Sequence, residues 1–142
     1  MERLDLEKIQ IALGYWGELP AQFQQLTPDQ QKRYLFVQGY QCFPDLLAHV
    51  SAWWERGMRL ITQYRAHSSF TAPAVNVDEF NAQAVAHVRG KSGDEVPQAF
   101  ENARQRFLEL LGELSDKDQQ DPRIIRQIEM EVIAHFQEHK IE

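Results

Sequence analysis

Apolar residues three and four apart recur along almost the whole chain, and that period confines it to helices packed on helices. Leu6, Ile9, Leu13, Trp16, Pro20 and Phe23 line one side of a first long helix, with a kink or break expected at Pro20, which has no N–H to give its helix. Thr27-Pro28-Asp29-Gln30 then starts a shorter piece: Thr27 caps, Pro28 takes the first helical position and Gln30 reaches back. It stops near Gly39. Pro44 and Asp45 open a second long helix whose inward face reads Leu46, His49, Val50, Trp53, Gly57, Leu60, Ile61 and Tyr64, with Arg56 and Arg59 on the wet side. Residues 66–77 lose the period and read as a loop. Asp78 caps a short piece, DEFNAQAVAHVR, that ends at Gly90. Ser92-Gly93-Asp94-Glu95 forms the next capping box, ahead of the stripe Val96, Phe100, Ala103, Phe107, Leu110 and Leu114. After the polar run SDKDQQ, Asp121 and Pro122 start a last helix with Ile124, Ile125, Ile128 and Val132 inward. No strand-like alternation and no internal repeat is visible. Four long amphipathic helices are satisfied most economically by an all-α four-helix bundle.

The connections decide its topology. Six polar residues join the last two long helices, which makes them antiparallel neighbours. The second and third long helices are separated by about 25 residues, far more than a bundle turn needs. A dozen extended residues reach about 40 Å, the length of a bundle. A crossover is therefore feasible, giving an up-down-down-up order in one domain spanning residues 1–142.

Charge and composition exclude several classes of function. Lys and Arg number 15 against 21 Asp and Glu, a net charge of −6. Nucleic-acid binding is not expected, because phosphate recognition needs a basic patch. No run approaches the roughly 20 apolar residues of a membrane span. The first residues, MERLDLEKIQ, lack the apolar stretch of a signal peptide, and the single cysteine, Cys42, allows no internal disulfide. A cytoplasmic protein is the expectation.

Chemistry, if there is any, resides in the histidines. His135 and His139 form HxxxH and continue the stripe of Ile128 and Val132, so both imidazoles point inward. This i, i+4 pair is the spacing with which one helix face offers two nitrogens to one metal ion. His49 lies on an inward face too. In a simple up-down-up-down bundle it would sit at the far end, about 30 Å away; with the crossover all three converge. Three histidines with open positions are the pattern of a catalytic metal site. The residue pattern also allows a plainer reading, in which the pair only complements the helix dipole in a fraying last turn and His49 is a satisfied core group.

The segments DLLAHVSAWWERGMRLI, VDEFNAQAV, RGKSGDEVPQAFENARQRFLELL and AHFQEHKIE, in that order, resemble the DinB-like superfamily, and within it the ClbS/DfsB branch. The likeness extends over nearly all of the chain after about Tyr34. It implies a four-helix bundle with the long crossover and a metal held by His49, His135 and His139. Imidazole ligands suit zinc, nickel, copper or iron; zinc or nickel is the leading expectation. The activity implied is a metal-dependent hydrolase or thiol-dependent transferase acting on a reactive small molecule, as in detoxification or self-protection. A non-enzymatic protein that binds or sequesters a small molecule in the same pocket is the alternative. No residue identifies a dimer face, and a homodimer stays open.

Other residues have two readings each. Trp53 shares the face of His49 and walls a substrate pocket, or is plain core. Asn81, in a stretch that sits near the site in look-alikes, donates to a ligand, or bonds only to local backbone. Cys42 precedes the second long helix, where the dipole would favour a thiolate; a small buried hydrophobe is the simpler role. Glu131 and Glu138 could supply a base or simply solvate a helix surface. His67 and His87 are given no function.

Overall fold

The computed structural model describes residues 2–142, and among them every regular element is helical. In chain order these are α1 (Leu6–Gln25), α2 (Pro28–Gln38), α3 (Phe43–Ala66), α4 (Val77–His87), α5 (Glu95–Glu113), the single turn α6 (Asp116–Gln119) and α7 (Pro122–Ile128). A π-helical turn (Glu129–Ala134) and α8 (His135–His139) continue α7.

Local signals explain most of the boundaries. Asp5 accepts from the Lys8 amide at the start of α1, and Thr27 and Gln30 form the reciprocal capping box of α2. Gly39 ends α2 at φ 84°, a left-handed conformation that glycine adopts without steric cost. Asp121 caps α7 with Pro122 in its first turn.

Some local expectations are corrected. α1 is not broken at Pro20: Trp16, Leu19 and Phe23 are buried on either side of it, and their packing outweighs the one backbone bond that proline cannot make. Leu19 takes the core position, and Pro20 is only half-buried. α3 begins at Phe43, and Cys42 at its N-cap position makes no side-chain cap bond. Asn76, rather than Asp78, caps α4. The expected box before α5 does not form, because Ser92 bonds to the Glu95 carboxylate and no side chain caps the helix. The polar run after α5 is not plain loop: Ser115 and Asp118 make a capping box for α6.

Trp16, Trp54, Phe100 and Phe107 are fully buried at the centre of the core. The indole of Trp54 packs 5.1 Å from that of Trp16 and 5.3 Å from Phe100. Trp53 was expected on this face, yet it is Trp54 that fills the core. α3 packs against α4, α5 and α7, so its buried arc is wide enough to take in Leu47, Ala48 and Trp54 as well as the predicted stripe.

Pairwise contacts give the helix directions. Along α3 and α5, Trp54 meets Phe100, Glu55 meets Arg106 and Arg65 reaches the Glu113 carbonyl, so the two run the same way. Along α3 and the last helix, His49 meets His139, Trp54 donates to the Glu131 carbonyl and Arg123 donates to the Tyr64 carbonyl, so these run oppositely. The connection between α3 and α5 travels back along α3. Arg56 holds the Pro73 carbonyl, Phe80 packs on Trp53, and Arg89 pairs with Asp45 near the start of α3. At its beginning the Arg123 guanidinium donates to the carbonyls of His67, Ser68 and Phe70.

A regular last helix was expected, but Glu129–Ala134 widens into a π turn. There the Glu131 and Val132 carbonyls accept the indole N–H groups of Trp54 and Trp16, at 3.1 and 2.9 Å. Two buried donors thus find backbone partners within the π turn.

Candidate metal centre

Two helices bring three imidazoles to one point. His49 lies one turn into α3, and His135 and His139 are the first and last residues of α8. All three are buried, at 7%, 8% and 6% exposure. His49 Nε2 lies 3.1 Å from His135 Nε2 and 3.2 Å from His139 Nε2. The three rings can each offer a nitrogen such that all three lie within 4.8 Å of one another. The spacing-based expectation that these rings face inward therefore holds, and so does their convergence. A frayed last turn is not observed, since Tyr34 Oη donates to the His139 carbonyl.

The outer nitrogens decide what the inner ones can do. His49 Nδ1 faces Asn81 Oδ1 at 2.9 Å, and His139 Nδ1 faces Gln38 Oε1 at 2.7 Å. An amide oxygen only accepts, so each ring carries its proton on Nδ1 and presents a bare lone pair at Nε2. His135 Nδ1 is buried without a hydrogen-bond partner. Burial pushes the pKa of His49 below the usual imidazole range, although its bond to Asn81 opposes the shift. Burial and the two neighbouring rings push His135 down to about 3, against an opposing pull from the Glu131 backbone, and burial together with His49 pushes His139 down to about 4. All three are neutral at pH 7, the state a metal requires.

This donor set fits a metal. Lone pairs of His49 and His139 that face each other across 3.2 Å repel unless a cation lies between them. Ligands about 2.0–2.1 Å from a tetrahedral ion sit roughly 3.3 Å apart, close to the separations observed. The three histidines are thus able to hold a metal ion.

His49 and His135 open into a cavity of about 350 Å³, also lined by Trp53, Val77, Asn81, Met130, Glu131 and Glu138. Trp53 is neither core nor free wall. Its ring is held between Phe80, 4.3 Å away, and the Arg56 guanidinium, 5.6 Å away, and its Nε1 donates to Asn81 Oδ1 at 2.7 Å. Asn81 does not bond to local backbone: its oxygen accepts from both Trp53 and His49, so that atom is committed to orienting the site.

Of the two glutamates, Glu138 is solvent-exposed, but Glu131 is only 4% exposed. Burial raises the Glu131 carboxyl to about 8, opposed by Gln127 and Arg56, so it holds its proton at pH 7. Its side chain lies against Gly57, where a Cβ would come within 3.0 Å of Glu131 Cγ. Cys42 is half-buried, and burial pushes its thiol up, so the helix dipole yields no thiolate there. The sequence reading missed Gln38 and Tyr34 altogether. They are about a hundred residues from His139 in the chain, and no local pattern links them to it.

Among the described residues no helix is long and apolar enough to cross a membrane. Compared with models of known protein families, with curated proteins and with solved structures, the chain matches none.

Proposed function

We propose that this chain is a DinB-like four-helix bundle, ordered up-down-down-up in one domain, that holds zinc or nickel at His49, His135 and His139. It acts as a hydrolase or thiol-dependent transferase on a reactive small molecule. The observation that carries this is the meeting of three neutral, buried imidazoles at separations of 3.1 and 3.2 Å. The helix directions support the bundle order, because α3 and α5 run together while the last helix opposes them. A bound ion would supply Lewis acidity and lower the pKa of a water or thiol. Around it, Asn81 orients His49 and Gln38 orients His139. Trp53, Val77 and Met130 wall the cavity and limit water, and the protonated Glu131 carboxyl offers a proton at its edge. The net charge of −6 supports a small-molecule partner over nucleic acid.

The test is calorimetric titration of chelator-treated protein with zinc and with nickel. Wild type binds one equivalent, and a His135→Ala, His139→Ala double variant binds none at the same concentrations. Equal uptake by both proteins overturns the proposal. The apolar side chains Trp53, Val77, Met130 and Ala134 in the cavity wall favour a second reading, a non-enzymatic small-molecule binder. Tight ligand binding that is unchanged by metal removal would select it.

A further inference from the structure

Helix α2 is held in an unusual way. None of its residues is buried, and Phe36 and Val37 stand 86% and 74% exposed. A short helix without a buried face gains little from packing. Beneath it lies a cavity of about 530 Å³ bounded by Tyr34, Val37, Gln38 and Lys140.

Apart from the Tyr34 ring, which packs 5.9 Å from that of Phe23, what fastens α2 is polar and centres on one residue. Near its start Gln31 Nε2 donates to the Phe23 carbonyl at 3.0 Å. Farther along, Tyr34 donates to the His139 carbonyl, and His139 Nδ1 donates to Gln38 Oε1. Burial raises the Tyr34 phenol well above its ordinary value, so it stays a donor. α4 supplies the matching contact to His49 through Asn81, but α4 is also secured by buried Ala84, the Phe80–Trp53 contact and the Arg89–Asp45 pair. α2 has a smaller reserve, the Tyr34 ring against Phe23.

We propose that Gln38 is a positioning residue for the metal centre, and that docking of α2 and loading of the metal are coupled through the Gln38–His139 bond. This rests on the reading that the three histidines hold a metal. Gln38 keeps the His139 proton on Nδ1 and so leaves Nε2 free to ligate. A cation at Nε2 draws electron density from the ring, makes Nδ1–H a stronger donor and tightens its hold on Gln38. Because coupling is reciprocal, releasing α2 weakens the site by the factor with which the metal secures α2.

The experiment compares the full chain with its Gln38→Ala and Gln38→Glu variants. Zinc affinity is measured by competition with a chelator, and amide hydrogen exchange across residues 31–38 is followed with and without zinc. In wild type, zinc slows exchange in α2 several-fold. Gln38→Ala weakens zinc by roughly 10- to 100-fold and abolishes that slowing. Gln38→Glu keeps an acceptor and restores both effects, which a merely structural role would not do. If wild type takes up zinc but α2 exchange does not change, or Gln38→Ala binds zinc within twofold of wild type, the coupling is overturned while the metal reading survives. A wild-type chain that takes up no zinc overturns both.

Discussion

Glu131 makes a quantitative prediction about stability and pH. Its carboxyl moves from an ordinary 4.5 to about 8 because folding strips it of water. Between those values the folded chain keeps a proton that the unfolded chain has lost, so stability falls as pH rises through this window. The whole displacement corresponds to on the order of 5 kcal/mol. His135 and His139 act in the opposite sense. Their folded values, about 3 and about 4, lie below the ordinary 6.5, so their contribution is present above about 6.5 and is lost as pH falls towards 4. The metal-free chain is therefore most stable near neutrality. Glu131→Gln keeps the shape and an accepting oxygen for Gln127, but cannot ionise. Urea unfolding of both chains in chelator at several pH values isolates the Glu131 contribution. Wild type should lose about 2 kcal/mol relative to the variant between about pH 6.5 and pH 8.5. Parallel profiles over that interval would show that the carboxyl is hydrated, and would remove the proton attributed to it at the cavity edge.

Two further perturbations probe neighbouring contacts. In Gly57→Ala the new methyl falls 3.0 Å from Glu131 Cγ and 3.1 Å from Cδ. Overpacking of about 1–3 kcal/mol exceeds the gain of about 1 kcal/mol in helix propensity, so urea unfolding shows a net loss, and the sign reverses in a Glu131→Ala background. Arg123→Ala removes the donor shared by the carbonyls of Tyr64, His67, Ser68 and Phe70; chymotryptic cleavage at Phe70 accelerates, while zinc uptake stays as in wild type.

Much of the molecule could be read from residues near one another in the chain. The caps at Thr27 and Asp121, the stop at Gly39 and the stripe from Val96 to Leu114 all involve partners within about a turn of each other. The inward aim of His49, His135 and His139 was legible for the same reason, since a helix repeats its faces regardless of what it packs against. The choice between Trp53 and Trp54 was not, because adjacent residues on a helix both border the apolar face. Which of them is buried depends on how many neighbours surround α3.

Sequence alone thus determined the long helices, most of their limits to within a residue or two, and the three rings turned from solvent. These follow from backbone geometry and the low solubility of apolar side chains, which act residue by residue. Tertiary structure decided what meets what. It set the imidazoles 3.1 and 3.2 Å apart, buried Glu131 against Gly57, opened the π turn beneath two indoles and brought Gln38 to His139. Those outcomes depend on distances between segments far apart in the chain and on the water excluded between them, and neither quantity exists until the helices have packed.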